Sequence, residues 1–194
     1  ARLRPGPPKG TSGAPEDAPP VRHTTYGGHD FSRALVHRLH EHASTMARPP
    51  RLRTFRYVGP LAICFTSATH MREQAFLSQQ TGEYCRGQLL QLAIKYEAEI
   101  AAYCFMPDHV HVLALSDSQS AQPRTCFERW KQHTGFWHRQ DTGRRLWQKG
   151  YWDRVLRAED DVATIMRYIV ANPIRSHLVA DLRDYTWIGC SRYS

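Results

Sequence analysis

From Tyr57 onward the chain switches repeatedly between two hydrophobic periods. "LAICFTS" (61–67) is a continuous apolar run of strand length, and "GEYCRGQLLQLAIKYEAEI" (82–100) places Leu89, Leu92, Ala93 and Tyr96 at helical spacing. "AAYCFM" (101–106) predicts a second strand, stopped by Pro107-Asp108, a turn pair, before a third strand, "HVHVLAL" (109–115). "RTCFERWKQHTGFWHR" (124–139) sets Phe127, Trp130 and Trp137 on one helical stripe. "LWQKGYWDRVLR" (146–157) reads as a strand with basic residues interleaved. "EDDVATIMRYIVANPIRSHLV" (159–179) opens with acidic residues suited to a helix N-terminus and carries Val162, Ile165, Met166, Ile169 and Val170 as its buried face. The order β-α-β-β-α-β-α predicts an α+β fold: a ferredoxin-like or RRM-like sandwich with a mostly antiparallel sheet and helices packed on it.

The start of the chain has a different character. Residues 1–28 contain six prolines and five glycines and almost nothing to bury, which predicts a disordered tail. Residues 30–47 predict a short amphipathic helix bearing His37, His40 and His42; with no other ligand type beside them, they read as a solvated face. The expected organisation is a basic tail over 1–50 and one domain over 51–194, enough chain for one core of ordinary size. Five cysteines, odd in number and without a CxxC pair, point to a reducing compartment such as the cytoplasm. No apolar stretch reaches the ~20 residues that span a bilayer, so no membrane partner is expected.

Charge is uneven within the body. Residues 57–123 carry three basic and six acidic side chains, residues 124–157 nine and three, and residues 158–194 four and five. A basic segment inside a balanced domain suggests a polyanion partner, most simply nucleic acid; the alternative is a solvated basic face.

His109 and His111 are the residues that an ordinary strand would not choose. Strand side chains alternate, so both point to one face about 7 Å apart, while Val110 and Val112 point to the other. Such a pair holds a metal ion or simply lines a polar face, and alone it does not decide between them. Tyr168 and Asn172 lie one helical turn apart on the last predicted helix, with Arg175 nearby. Pro173 disfavours helical geometry at Asn172, so a kink or a helix stop is expected there.

The pieces "YCFMPDHVHVLAL" (103–115), "LWQKGYWDRVLR" (146–157) and "RYIVANPIRSHLV" (167–179), closed by "YTW" (185–187), together resemble the single-tyrosine HUH transposases, IS200-like proteins, and within them the REP-associated tyrosine transposases. The resemblance covers roughly residues 57–190. It implies that His109, His111 and Asn172 ligate a divalent metal, Mg²⁺ or Mn²⁺, and that Tyr168 is the nucleophile. Tyr151 and Tyr103 are less suited, because neither has a ligand-type residue four positions on. Two departures from the family pattern occur: Ser176-His177 in place of a small pair after the Asn-Pro-x-Arg, and "IGCS" in place of a closing Ser-Ser.

The activity implied is nicking and strand transfer on single-stranded or hairpin DNA through a 5′-phosphotyrosine. A phenol suits that step, since the phosphotyrosine bond keeps the energy needed for rejoining. A hairpin-binding protein that does not cut is the alternative. Arg144, Arg145, Lys149, Arg154, Arg157 and Arg175 are the candidate phosphate contacts, with Trp147 or Trp152 available to stack a base. The resemblance implies a monomer, with a tyrosine-helix-exchanged dimer as the alternative.

Overall fold

The computed structural model describes residues 56–157 and 160–191. The tail and the helix expected over 30–47 lie outside the described residues. The elements are β1 (Leu61–Ala68), α1 (Gln79–Lys95), β2 (Glu99–Met106), β3 (His109–Ser116), α2 (Pro123–Thr142), β4 (Trp152–Val155), α3 (Val162–Val170), a single helical turn α4 (Asn172–Arg175) and β5 (Ile188–Cys190). The strands form one antiparallel sheet in the order β4-β1-β3-β2-β5. Two split β-α-β units interleave, with β3 between β1 and β2 and with β1 between β3 and β4. This is the ferredoxin-like α+β arrangement expected, with β5 added outside β2.

Local chemistry explains where the helices stop. The Ser78 hydroxyl caps α1 by accepting from the Thr81 amide. Helix α2 starts on Pro123 and ends at Gly143, whose φ of +73° is the left-handed cap geometry. Asp161 caps α3, its carboxylate accepting from the Ala163 amide at 3.0 Å. The acidic cluster predicted for that helix start therefore acts through one residue.

Helix α1 begins and ends earlier than the pattern suggests, because Glu99 and Ile100 already pair with β3. The strand expected over 146–157 is cut to four residues. Gly150, at φ +83°, turns the chain, and residues 146–148 follow β1 only loosely, through a Thr69–Trp147 bridge and a Gln148 amide bonded to the Ala68 carbonyl. The expected kink is present: α3 ends at Val170 and Pro173 sits in the first turn of α4. Strand β5 has no counterpart in the predicted order.

The sheet is covered on both faces. Helices α1 and α2 cover one, where Phe65 and Phe105 of the sheet meet Phe76 and, from α2, Phe127 and Trp130. Phe65 stacks on Phe127 at 4.4 Å, and the fully buried Trp130 donates from Nε1 to the Cys85 carbonyl at 2.8 Å. Trp137, predicted on the same stripe, is only half-buried and stacks on Tyr84 at 4.0 Å. Helix α3 covers the other face, over Cys64, Cys104, Met106 and Leu113. The closing Tyr-x-Trp straddles the rim of β2. The Tyr185 hydroxyl donates to the Phe105 carbonyl, the Trp187 carbonyl accepts from the Phe105 amide, and the Trp187 ring fills the space left by Gly82 on α1.

Candidate active site

His109 and His111 lie on the α3 side of β3, with their rings 4.9 Å apart and perpendicular. Each is held by its Nδ1. Asp108 Oδ1 is 2.6 Å from His109 Nδ1, and Thr66 Oγ1 is 2.9 Å from His111 Nδ1 across the β1–β3 pair. With Nδ1 occupied, Nε2 is the nitrogen each ring presents to a ligand, the usual arrangement of a metal-binding histidine with its orienting partner. Arg72 Nε lies 3.3 Å from the other Asp108 oxygen. Burial raises the Asp108 carboxyl, but the hydrogen bond and charge of His109 and the charge of Arg72 outweigh it, so the group sits below the ordinary carboxylate range. Met71 and Arg72 adopt left-handed backbone, φ +52° and +59°, a conformation that costs a non-glycine residue energy.

Thr66 and Asp108 were not singled out in the sequence. Asp108 reads as a turn residue there, and it is one. Thr66 leaves a weak signal, a hydroxyl inside an apolar strand.

Tyr168 is on α3, in the same apolar cluster as Cys104, Met106 and Leu113, which surround His111 on the sheet. It is 5 % exposed, and its hydroxyl has no hydrogen-bond partner among the described residues. Burial pushes the phenol above its usual value, opposed by Arg175, whose guanidinium lies 4.5 Å over the ring. Asn172 is also buried. Its Nδ2 donates to the carbonyls of Tyr168 and Ile169, both at 3.1 Å. The amide nitrogen is therefore engaged in ending α3, and Oδ1 is the atom left for a cation. Turn α4, which carries Asn172, packs on β2 beside the histidine strand. Among the described residues no three His, Cys, Asp or Glu side chains converge as a metal group.

The basic residues of 144–157 divide into two sets. Arg154 faces the histidine side of the sheet, opposite Cys64, but is paired with the buried Asp160 at 3.2 Å. The Arg157 amide donates to the same carboxylate, while its side chain is exposed. Arg144, Arg145 and Lys149 lie exposed on the loop before β4, with Arg144 3.6 Å from Glu73. Of the two tryptophans, Trp152 is buried. Trp147 is half-buried against Phe76 and Trp130.

The model of the family described as transposase IS200 like matches residues 60–172, more than half of the chain and the whole span from β1 to Asn172. The chain belongs to the IS200-like transposase family. It is 27 % identical over 144 residues to a Haemophilus influenzae protein assigned to the REP-associated tyrosine transposases, covering 66 % of this chain and 78 % of that one. In fold it is similar to a REP-associated tyrosine transposase solved bound to a REP hairpin, with a TM-score of 0.59 at 19 % identity over 71 % of this chain and 81 % of that one. Membership puts the IS200-like protein among DNA-processing enzymes. Among the described residues no helix is long and apolar enough to cross a membrane. All five cysteines are free, and burial raises the Cys64 and Cys126 thiols to about 12.

Proposed function

We propose that this protein cleaves and rejoins single-stranded DNA flanking a hairpin, with Tyr168 as nucleophile. The observation that carries the reading is the pair of oriented histidines on the sheet face covered by the helix that bears Tyr168. A similar fold solved on a REP hairpin supports hairpin DNA as the substrate.

The donor set fits a divalent cation. Two imidazoles with fixed Nδ1 partners and one amide oxygen leave positions for phosphate oxygens and water. His109, His111 and Asn172 would hold Mg²⁺ or Mn²⁺, and imidazole nitrogen favours Mn²⁺. The cation would supply polarisation of the scissile phosphate and neutralisation of its charge.

The chain's own residues do the rest. Tyr168 attacks the phosphorus, forming the Tyr–O–P bond and expelling the 3′-oxygen, which takes up a proton. Arg175 holds the phenol ring and favours its deprotonated form. A buried donor without a partner is a rare and expensive feature. The hydroxyl has to meet phosphate to react, so DNA entry displaces whatever covers it in the free chain.

The test is an adduct assay on a hairpin with single-stranded flanks, read on denaturing gels. Wild type with Mn²⁺ should give a protein–DNA adduct, and EDTA or Tyr168→Phe should remove it. Hairpin binding without an adduct across metals and flank sequences would make the protein a hairpin binder. An adduct that persists in Tyr168→Phe would move the nucleophile elsewhere.

A further inference from the structure

A cleft of about 540 Å³ opens between α2 and the loop leading into β4, on the sheet face opposite Tyr168. Its rim carries Phe136, which is 68 % exposed. A single exposed apolar residue is ordinary; the surroundings make this one informative. Helix α2 already buries Phe127, Trp130, Thr134 and His138, so Phe136 lies off the stripe that holds the fold.

The charges around it do not cancel. Arg139, one turn along α2, and Arg145 on the facing loop both line the cleft and are exposed. Neither makes an ion pair or side-chain hydrogen bond among the described residues. The one carboxylate lining the cleft, Glu128, is engaged by Arg124 at 3.1 Å and the Tyr151 hydroxyl at 2.7 Å. The cleft thus brings an exposed aromatic ring and two exposed guanidinium groups to one lining, the combination that fits a base with its flanking phosphates.

The cleft wall is joined to β1, the strand beside the histidine strand. The amide of Gln148, on the cleft wall, donates to the Ala68 carbonyl, and Ala68 is the cross-strand partner of His109. Two strand spacings, about 10 Å, separate that rim from His109, and the loop that leads from the rim to β4 carries the exposed Lys149.

We propose that this cleft is a subsite for unpaired nucleotides of the DNA flank, with one base stacked on Phe136 and its phosphates held by Arg139 and Arg145. The inference rests on the DNA reading above and adds where the strand runs after the site: round the basic edge and onto the far face. An acidic peptide would satisfy the same arginines, but the DNA reading also accounts for a cleft whose wall lies two strand spacings from His109.

The test is binding without metal, in EDTA, of a fluorescent hairpin that is blunt, carries a flank of normal bases, or carries a flank of abasic deoxyribose phosphates. Flank polarity is varied in each case. Phe136→Ala should weaken binding of the base-carrying flank roughly 5- to 100-fold. It should leave the blunt and abasic hairpins unchanged, and Phe136→Trp should restore affinity. Arg139→Gln with Arg145→Gln should weaken both flanked forms. Equal affinity of Phe136→Ala and wild type for every flank overturns the subsite while leaving the DNA reading intact, as does an equal loss on the blunt hairpin. Failure of the wild type to bind any of these hairpins overturns both.

Discussion

The two faces of the sheet are built from the same strands but to different standards. Toward α1 and α2 they project large aromatics that stack and interlock, with the indole of Trp130 satisfied by a backbone carbonyl. Toward α3 they project cysteines, small residues and two histidines, covered by a nine-residue helix whose tyrosine hydroxyl is buried without a partner among the described residues. One face secures the fold. The other is less apolar, keeps polar groups under cover, and depends on the first for its rigidity. Damage should therefore separate: changes on the aromatic face should cost stability first, and changes on the histidine face should cost chemistry first.

The sharpest break of that comparison is Tyr168→Phe. Adduct formation should fall to background, while unfolding in denaturant shows unchanged or higher stability, because an unsatisfied buried hydroxyl costs about 1–3 kcal/mol. A clear loss of stability would mean that the hydroxyl serves the fold. Next in size is Trp130→Ala on the opposite face. Truncating this indole should cost about 3–5 kcal/mol, seen as a lowered denaturant midpoint and poor soluble yield, with activity lost only as the fold is lost.

Asp108→Ala sharpens the contrast from the site side. Removing the partner of His109 Nδ1 should weaken Mn²⁺ binding about 10- to 100-fold by calorimetry, with circular dichroism unchanged. Unaltered affinity would show that Asp108 serves only the turn. A smaller effect is expected at the start of the tyrosine helix. Asp161→Ala removes the cap of α3 and should cost about 1 kcal/mol in equilibrium unfolding.

The smallest effect is one of pH. Burial holds the phenols of Tyr151, Tyr168 and Tyr185 above the usual value of about 10. The folded chain keeps these protons more tightly than the unfolded one. Their contribution is therefore complete below pH about 10 and declines as pH rises beyond it. Denaturant midpoints measured from pH 8 to 11 should fall at the alkaline end, less steeply in Tyr168→Phe.

The aromatic face was the more legible of the two. Strand runs, the Phe127–Trp130 stripe and the Pro107-Asp108 turn each declared themselves by local pattern, and together they carried the α+β order. The short strands did not. Gly150 broke the predicted 146–157 strand through a backbone angle that its neighbours do not announce. Ile188–Cys190 is three residues whose pairing with β2 depends on contacts 84 to 88 residues away. At the site, His109 and His111 were conspicuous because imidazoles interrupt an apolar run. Tyr168 and Asn172 were visible by spacing, although the asparagine's task of ending α3 with its amide nitrogen depends on the folded backbone. Thr66, Arg72 and Phe136 were silent, since each acts through a partner from another element or through its exposure.

The three central strands are eight residues long, and the strands at the two rims are four and three. A long bare rim is a template on which another chain can add a strand, the first step of many aggregates. Here β4 and β5 leave only a few peptide groups unpaired at either side, and Tyr185 and Trp187 fasten the end of β2 beside β5. A sheet with three long strands at its centre, the histidine strand in the middle, is thereby hindered from growing sideways.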